Sequence, residues 1–152
     1  MQQPGDPCRI PGVPAYVRYQ SPVPDRRGRR IGIFGLVNML ANRGYLTADE
    51  EHFRRTTNDW YDATYTNPST VDPTIYKHHP HAASWFKPTA THLFEPIPGY
   101  LKILATHNLP CDRYTSTTPG RVLYEDAHQL VVVPPPAPTA PPTILWLRPK
   151  AD

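Results

Sequence analysis

Proline restricts what this chain can fold into more than any other residue. Each proline removes a backbone donor and is excluded from most positions inside helices and sheets. The chain carries 21 prolines in 152 residues, well above the roughly 5% of average usage. They are densest in residues 1–24 and 134–152. We therefore predict a globular body over residues 25–133 between two proline-rich arms.

Local signals in the body predict three helices and a short turn. Residues 31–42 are apolar at nearly every position, which is typical of a helix buried on most sides. Thr47 and Glu50 form a capping box that begins a second helix, whose aromatic residues share one face. Pro98 begins a third helix, and Asp72 caps one short helical turn.

Strands follow the helices along the chain. Residues 113–116, 121–124 and 129–133 are rich in β-branched or aromatic side chains, and residues 125–128 are the loop of a hairpin. Residues 15–19 add a short N-terminal strand that can join the same sheet. Helices first and strands later are typical of an α+β fold, so we expect a compact single domain with three to four helices backing a small antiparallel sheet.

Between residues 77 and 96, three prolines cut the sequence into pieces too short for a regular helix. We expect only short helical turns there, over residues 82–86 and 89–94.

Charge and cysteine content limit the class of partner and the compartment. The formal net charge is +3 and the isoelectric point is near 9.0, which permits an anionic partner without requiring one. No apolar run approaches the ~20 residues of a membrane span, and the first residues lack the pattern of a secretory signal. With only Cys8 and Cys111, we expect a cytoplasmic protein with reduced thiols rather than a disulfide between them.

Four arginines precede the first apolar helix and are the first candidate site: Arg26, Arg27, Arg29 and Arg30. Guanidinium groups bind phosphates in a bidentate manner, and a helix beginning near Arg29 would add its positive end. The spacing of the nearby glycines matches neither the dinucleotide-binding fingerprint nor a phosphate-binding loop. These arginines are therefore either an anion-binding site or the solvated, charged start of a buried helix.

Histidines form the second candidate, namely His78, His79, His81 and His92. Imidazole is a common ligand of transition metals, but this spacing matches no zinc motif and no cysteine is near. We assign no metal and no cofactor, and we expect a solvated polar loop, with metal binding by this group as the alternative.

A broken segment rich in functional side chains is the third candidate. Trp85 and Phe86 are predicted to wall a pocket in which Lys87 supplies a cation and His92 an acid–base group. In the structural alternative, the two aromatic rings are core residues and the histidine has no catalytic role.

Two residues of the second helix extend this candidate pocket. Trp60 would add a further aromatic wall, and Asp59 beside it would add a carboxylate. The alternative for Asp59 is the solvated face of an amphipathic helix.

The C-terminal arm is the fourth candidate. Residues 135–141 contain overlapping P-x-x-P spacings typical of polyproline II, and the apolar run Ile144–Leu147 follows. We interpret the prolines as a stiff spacer rather than a peptide ligand, because a ligand needs no apolar anchor after it. The anchor is expected to dock on a sheet edge of the body or of a neighbouring subunit.

These features favour two functions. The first is a small accessory protein whose proline-rich arms mediate self-association or docking to a protein partner, mainly through residues 134–152. The alternative is a small enzyme acting on an anionic small-molecule or nucleotide-like substrate in the pocket around Trp85, Lys87 and His92. Nucleic-acid binding through the arginines is a third class.

Overall fold

The computed structural model describes residues 15–135, and their architecture is α+β, as the sequence predicts. The strands of this region are β1 (Tyr16–Gln20), β2 (Ala83–Phe86), β3 (Asp112–Ser116), β4 (Arg121–Glu125) and β5 (Gln129–Val133). Its α-helices are α1 (Ile33–Asn42), α2 (Ala48–Thr64), α3 (Pro68–Val71), α4 (Ile75–His78) and α5 (Ile97–Thr106), with a 3-10 turn at Thr91–Phe94. No helix within residues 15–135 is both long and apolar enough to cross a membrane.

The described residues divide into two compact units. One unit comprises residues 15–18, 65–94 and 113–135, and the other comprises residues 19–64 and 95–112. The sheet belongs largely to the first unit, and the three longest helices belong to the second. The boundaries predicted around the body stay a prediction, because most of both arms lies outside the described residues.

The sheet is antiparallel, with the strand order β3-β1-β2-β5-β4. The N-terminal strand joins it as predicted, and Val17 of β1 faces Phe86 of β2. The predicted hairpin is also confirmed, because β4 ends at Glu125 and β5 begins at Gln129. The first four residues of β5 are buried, which makes β5 the centre of the sheet's core.

The helical turn predicted over residues 82–86 is wrong, because this segment forms strand β2. All four residues of β2 pair with β5, from Ala83 opposite Val132 to Phe86 opposite Gln129. Local proline spacing carried no information about this pairing, since the partner strand lies more than 40 residues later in the chain.

The other short elements depart less from expectation. The turn predicted from Asp72 begins later, at Ile75, and the Asp72 carboxylate accepts hydrogen bonds from both the amide and the hydroxyl of Thr74. Helix α3 was not predicted, and the Asn67 side chain caps it by accepting from the Ser69 amide at 3.0 Å. The turn predicted over residues 89–94 is confirmed as the 3-10 turn.

Helix α1 presents its buried residues Ile33, Leu36, Val37 and Leu40 at helical spacing. The helix begins at Ile33, two residues after the apolar run begins, because the first two residues of that run are in extended conformation. The Ile31 carbonyl accepts from the Ser21 amide at 2.8 Å, and Gly32 bridges to Gln20. Gly32, in an extended conformation, is therefore the residue that precedes the first helical turn.

Tyr100 connects α2 and α5 in the helical unit. Its side chain is fully buried, and its phenol donates to the Asn58 Oδ1 at 2.5 Å. The Asn58 amide donates to Asn38 Oδ1 of α1 at 3.2 Å, and Arg54 donates to the same oxygen at 3.0 Å. The rings of Phe34 and Phe53 contact Tyr100 edge-on, at centroid distances of 5.3 and 5.2 Å. One buried tyrosine thus connects three helices through both polar and aromatic contacts.

The predicted capping box at the start of α2 is confirmed. The Thr47 amide donates to Glu50 at 2.9 Å, and the Glu50 amide donates to the Thr47 hydroxyl at 3.1 Å. The Glu50 carboxylate also lies 3.0 Å from His107 Nε2, just after α5. Burial alone would raise the pKa of Glu50, but the hydrogen bonds from His107 and Thr47 lower it below its ordinary value.

Replacing Tyr100 with Phe should destabilise the protein by about 1–2 kcal/mol, because Asn58 then loses its buried donor. Chemical denaturation of the Tyr100→Phe, Asn58→Ala and double variants measures this cost and the coupling between the two side chains. A coupling energy of about 0.5 kcal/mol or more is expected. Fully additive effects would contradict the proposed network.

Replacing Gly120 with Ala should destabilise the β4–β5 pair by about 1–3 kcal/mol, as overpacking does elsewhere. Gly120 has φ +155°, and an added Cβ would collide with the Val133 carbonyl oxygen and lie 2.8 Å from its carbon. Gly28→Ala is the matched control, because Gly28 also has positive φ but open space around it. Thermal denaturation should show the larger loss for Gly120→Ala, and equal losses would contradict the predicted steric collision.

Candidate functional site

Lys87 and the turn between β4 and β5 form a polar cluster. The Lys87 ammonium lies 2.6 Å from Glu125 Oε2, and the Lys87 amide donates to the His128 carbonyl at 2.9 Å. These contacts hold the end of β2 against the turn. The Lys87 side chain is 23% exposed and that of Glu125 is 48% exposed, so this ion pair is partly screened by water.

Asp126 organises the turn itself. Its Oδ1 accepts from the amides of His128 and Gln129 at 2.8 and 3.0 Å. Its Oδ2 accepts from the Tyr124 hydroxyl and from Gln129 Nε2 at 2.8 and 3.1 Å. Burial would raise the pKa of Asp126, but these hydrogen bonds outweigh it and lower the pKa. The hydrogen bond to Asp126 raises the pKa of the Tyr124 phenol.

His92 lies on the 3-10 turn and contacts this cluster through a second histidine. Its ring centroid is 5.1 Å from that of His128, and the two rings are nearly perpendicular. The structure therefore groups Lys87 and His92 with His128, which the sequence analysis did not select. The one sequence signal for His128 was its place in the predicted hairpin loop, residues 125–128, because loops often carry functional side chains.

Trp85 and Phe86 do not line a common surface, because they are successive residues of a strand and point to opposite faces. Trp85 packs with Leu130 and Val132 on one face. Phe86 contacts the ring of Phe94 at a centroid distance of 5.5 Å on the other. Both side chains are buried, as their structural alternative expects.

Trp60 and Asp59 belong to the helical unit, whereas Lys87 and His92 belong to the sheet unit. The residue Trp60 is 38% exposed, and its ring contacts that of Tyr61 edge-on at 5.0 Å. Asp59 is exposed on α2.

The predicted arginine cluster is an ordered turn that precedes α1 rather than the first turn of the helix. Asp25 Oδ1 accepts from the amides of Arg27 and Arg29, each at 2.9 Å, and Oδ2 pairs with the Arg29 guanidinium at 3.3 Å. Arg30 donates to the Pro22 carbonyl. Arg26 and Arg27 are exposed. The Arg29 guanidinium thus has a partner inside the turn and that of Arg30 has one just before it, and anion binding by the four together stays a prediction.

His78, His79 and His81 lie at and just after the end of α4. Among residues 15–135, no group of three or more histidine, cysteine or acidic side chains has an arrangement that could hold a metal ion. Cys8 lies outside the described residues, so the expectation about a Cys8–Cys111 disulfide stays a prediction.

Most of the polar side chains at the hairpin turn take part in contacts that stabilise the fold. The Lys87 ammonium is paired with Glu125, and Asp126 has hydrogen-bond donors on both oxygens. General acid–base catalysis needs a group with a proton to exchange with a substrate, and His92 and His128 are the remaining candidates here. A catalytic role for His92 stays a prediction.

Asp126→Asn should lower the melting temperature at neutral pH, because one acceptor oxygen becomes a donor that faces other donors. The folded-state pKa of Asp126 is lowered, so the carboxylate stabilises the fold above the unfolded pKa of aspartate and loses this effect as pH falls through the folded pKa. The difference between wild type and Asp126→Asn should therefore shrink in acid. Asp59→Asn, on an exposed helix face, is the matched control. A melting-temperature difference between wild type and Asp126→Asn that does not change with pH would contradict the stabilising role of the Asp126 carboxylate.

Comparisons with known proteins do not extend this picture. No family model matches the chain, and neither a curated protein nor a solved structure is significantly similar to it.

Proposed function

We propose that this chain is a small interaction protein that associates with a second copy of itself through its C-terminal arm, residues 134–152. The proposal rests on the position at which the arm begins. Strand β5, the buried strand beside the edge strand β4, ends at Val133 and continues directly into Pro134 and Pro135, which are exposed. The arm thus starts beside a sheet edge and outside the core.

The sequence of the arm supports docking rather than a passive tail. The run Ile144–Leu147 is too apolar for a solvated terminus, and its burial against protein would be favourable. Strand addition at a sheet edge is a common way to bury such a segment, because backbone hydrogen bonds supply affinity and side chains supply specificity.

The proline-rich spacer is long enough to reach a second copy. In polyproline II, Pro134–Pro142 would extend about 28 Å at roughly 3.1 Å per residue. Neighbouring strands are about 5 Å apart, so a strand added at the near edge would lie about 10 Å from β5 and one at the far edge about 20 Å. A spacer of this length therefore has the reach to place Ile144–Leu147 on the sheet edge of a neighbouring copy.

A protein surface is also the partner class that the composition favours. The net charge of +3 is low for a dedicated nucleic-acid binder. We also propose a cytoplasmic location, because a chain with only two cysteines lacks the dense disulfides typical of small proteins in oxidising compartments.

Removing residues 136–152 should convert the protein from dimer to monomer, since the proposed docking segment is lost while every described residue remains. Light scattering on size-fractionated full-length and 1–135 proteins, over a range of concentrations, measures the mass. Trp146→Ser in the full chain should weaken the dimer in the same direction. Unchanged mass after truncation, or a monomeric full-length protein at every concentration, would refute the proposal.

A further inference from the structure

We infer that the outer edge of β4 is the docking site for Ile144–Leu147 of the second copy, an inference that rests on the proposed self-association. The occupant is a named segment of this chain, and its length and starting point are known from the sequence. The described sheet presents two edges, β3 and β4.

Strand β4 pairs on one side only within residues 15–135. Its partner there is β5, and no strand of the described region lies beyond it. The residue Val122 is 51% exposed, an unusual fraction for a large apolar side chain in a sheet. An edge strand with an exposed valine offers both unpaired backbone groups and apolar surface to an added strand.

The opposite edge is less suited to an apolar partner. Strand β3 begins with two exposed charged residues, Asp112 and Arg113, and ends in Thr115 and Ser116. Charged side chains along an edge strand are a common protection against strand addition. The charged residues of β4, in contrast, stand only at its two ends.

The geometry of β4 matches a short occupant. The register with β5 shifts between Val122 and Tyr124, so a bulge interrupts the strand near its centre. A bulge twists the edge and, like edge charges, works against a long added strand. The proposed docking segment has only four residues, Ile144–Leu147, and such a length needs no long straight edge.

The starting point of the arm also favours β4. Arg121, the first residue of β4, faces Val133, the last residue of β5. Each arm therefore leaves its own sheet one strand away from the β4 edge. When two copies present these edges to each other, each arm begins close to the edge that the other arm occupies, and the exchange is reciprocal under two-fold symmetry.

Two variants of matched chemistry test the site. Val122→Lys places a charge on the proposed docking edge, and Val71→Lys places the same charge on α3, where the original valine is 62% exposed. Val122→Lys should weaken the dimer about tenfold or more, while Val71→Lys should change it less than about twofold. Light scattering over a dilution series measures dimer dissociation, and circular dichroism verifies that both variants are folded.

Hydrogen exchange supplies a second readout that does not depend on any substitution in the sheet. Amides of β4 should exchange more slowly in the full-length dimer than in the 1–135 protein, while amides of β3 should be unchanged. Slower exchange confined to β3 would overturn the inference.

The combined results separate this inference from the proposed function. If truncation abolishes the dimer but Val122→Lys and β4 exchange have no effect, self-association stands and the β4 site is refuted. If the protein is monomeric and the arm still protects β4, the edge is occupied within one copy and exchange between copies is refuted. If neither mass nor exchange responds to truncation, both proposals fail.

Discussion

The pairing of β5 with its two neighbours is the interaction on which the sheet unit depends. β2 contributes all four of its residues to one side of β5, and β4 pairs along the other side. Burial of Gln129, Leu130, Val131 and Val132 accompanies this pairing, so backbone hydrogen bonding and apolar burial reinforce each other. The same strand connects the Asp126 turn at its start to the proline-rich arm at its end. The Asp126 turn and the start of the proline-rich arm are thus both attached to β5.

The polar groups around β5 form a network of hydrogen bonds that stabilises the fold. Gln129 is almost fully buried, and its amide group donates to the Thr66 carbonyl at 2.5 Å and to Asp126 while its oxygen accepts from Ser84. Such groups are costly to bury unless each hydrogen bond is made. Their arrangement therefore stabilises the hairpin. The β4 edge, in contrast, retains exposed apolar surface among the described residues.

Sequence patterns were sufficient where local physics decides the structure. The capping box of α2 is satisfied by residues three positions apart, and the buried stripe of α1 follows from helical periodicity alone. The strands β4 and β5 and their hairpin loop were equally predictable from composition. Strand β2 was missed because its conformation depends on β5, which is distant in sequence. The relation of His92 to His128 was missed for the same reason, since nothing local links a 3-10 turn to a hairpin loop.

The sequence by itself determined the α+β class, the capping box of α2 and the proline-rich composition of residues 1–24 and 134–152. These follow from backbone sterics and short-range hydrogen bonds, which act within a few residues. Only the tertiary structure decided that Trp85 and Phe86 face opposite sides of one strand, that Arg29 is paired with Asp25, and that β4 lies at an edge. These outcomes depend on which distant strands pair and on which charges find partners, and a local pattern contains no information about either.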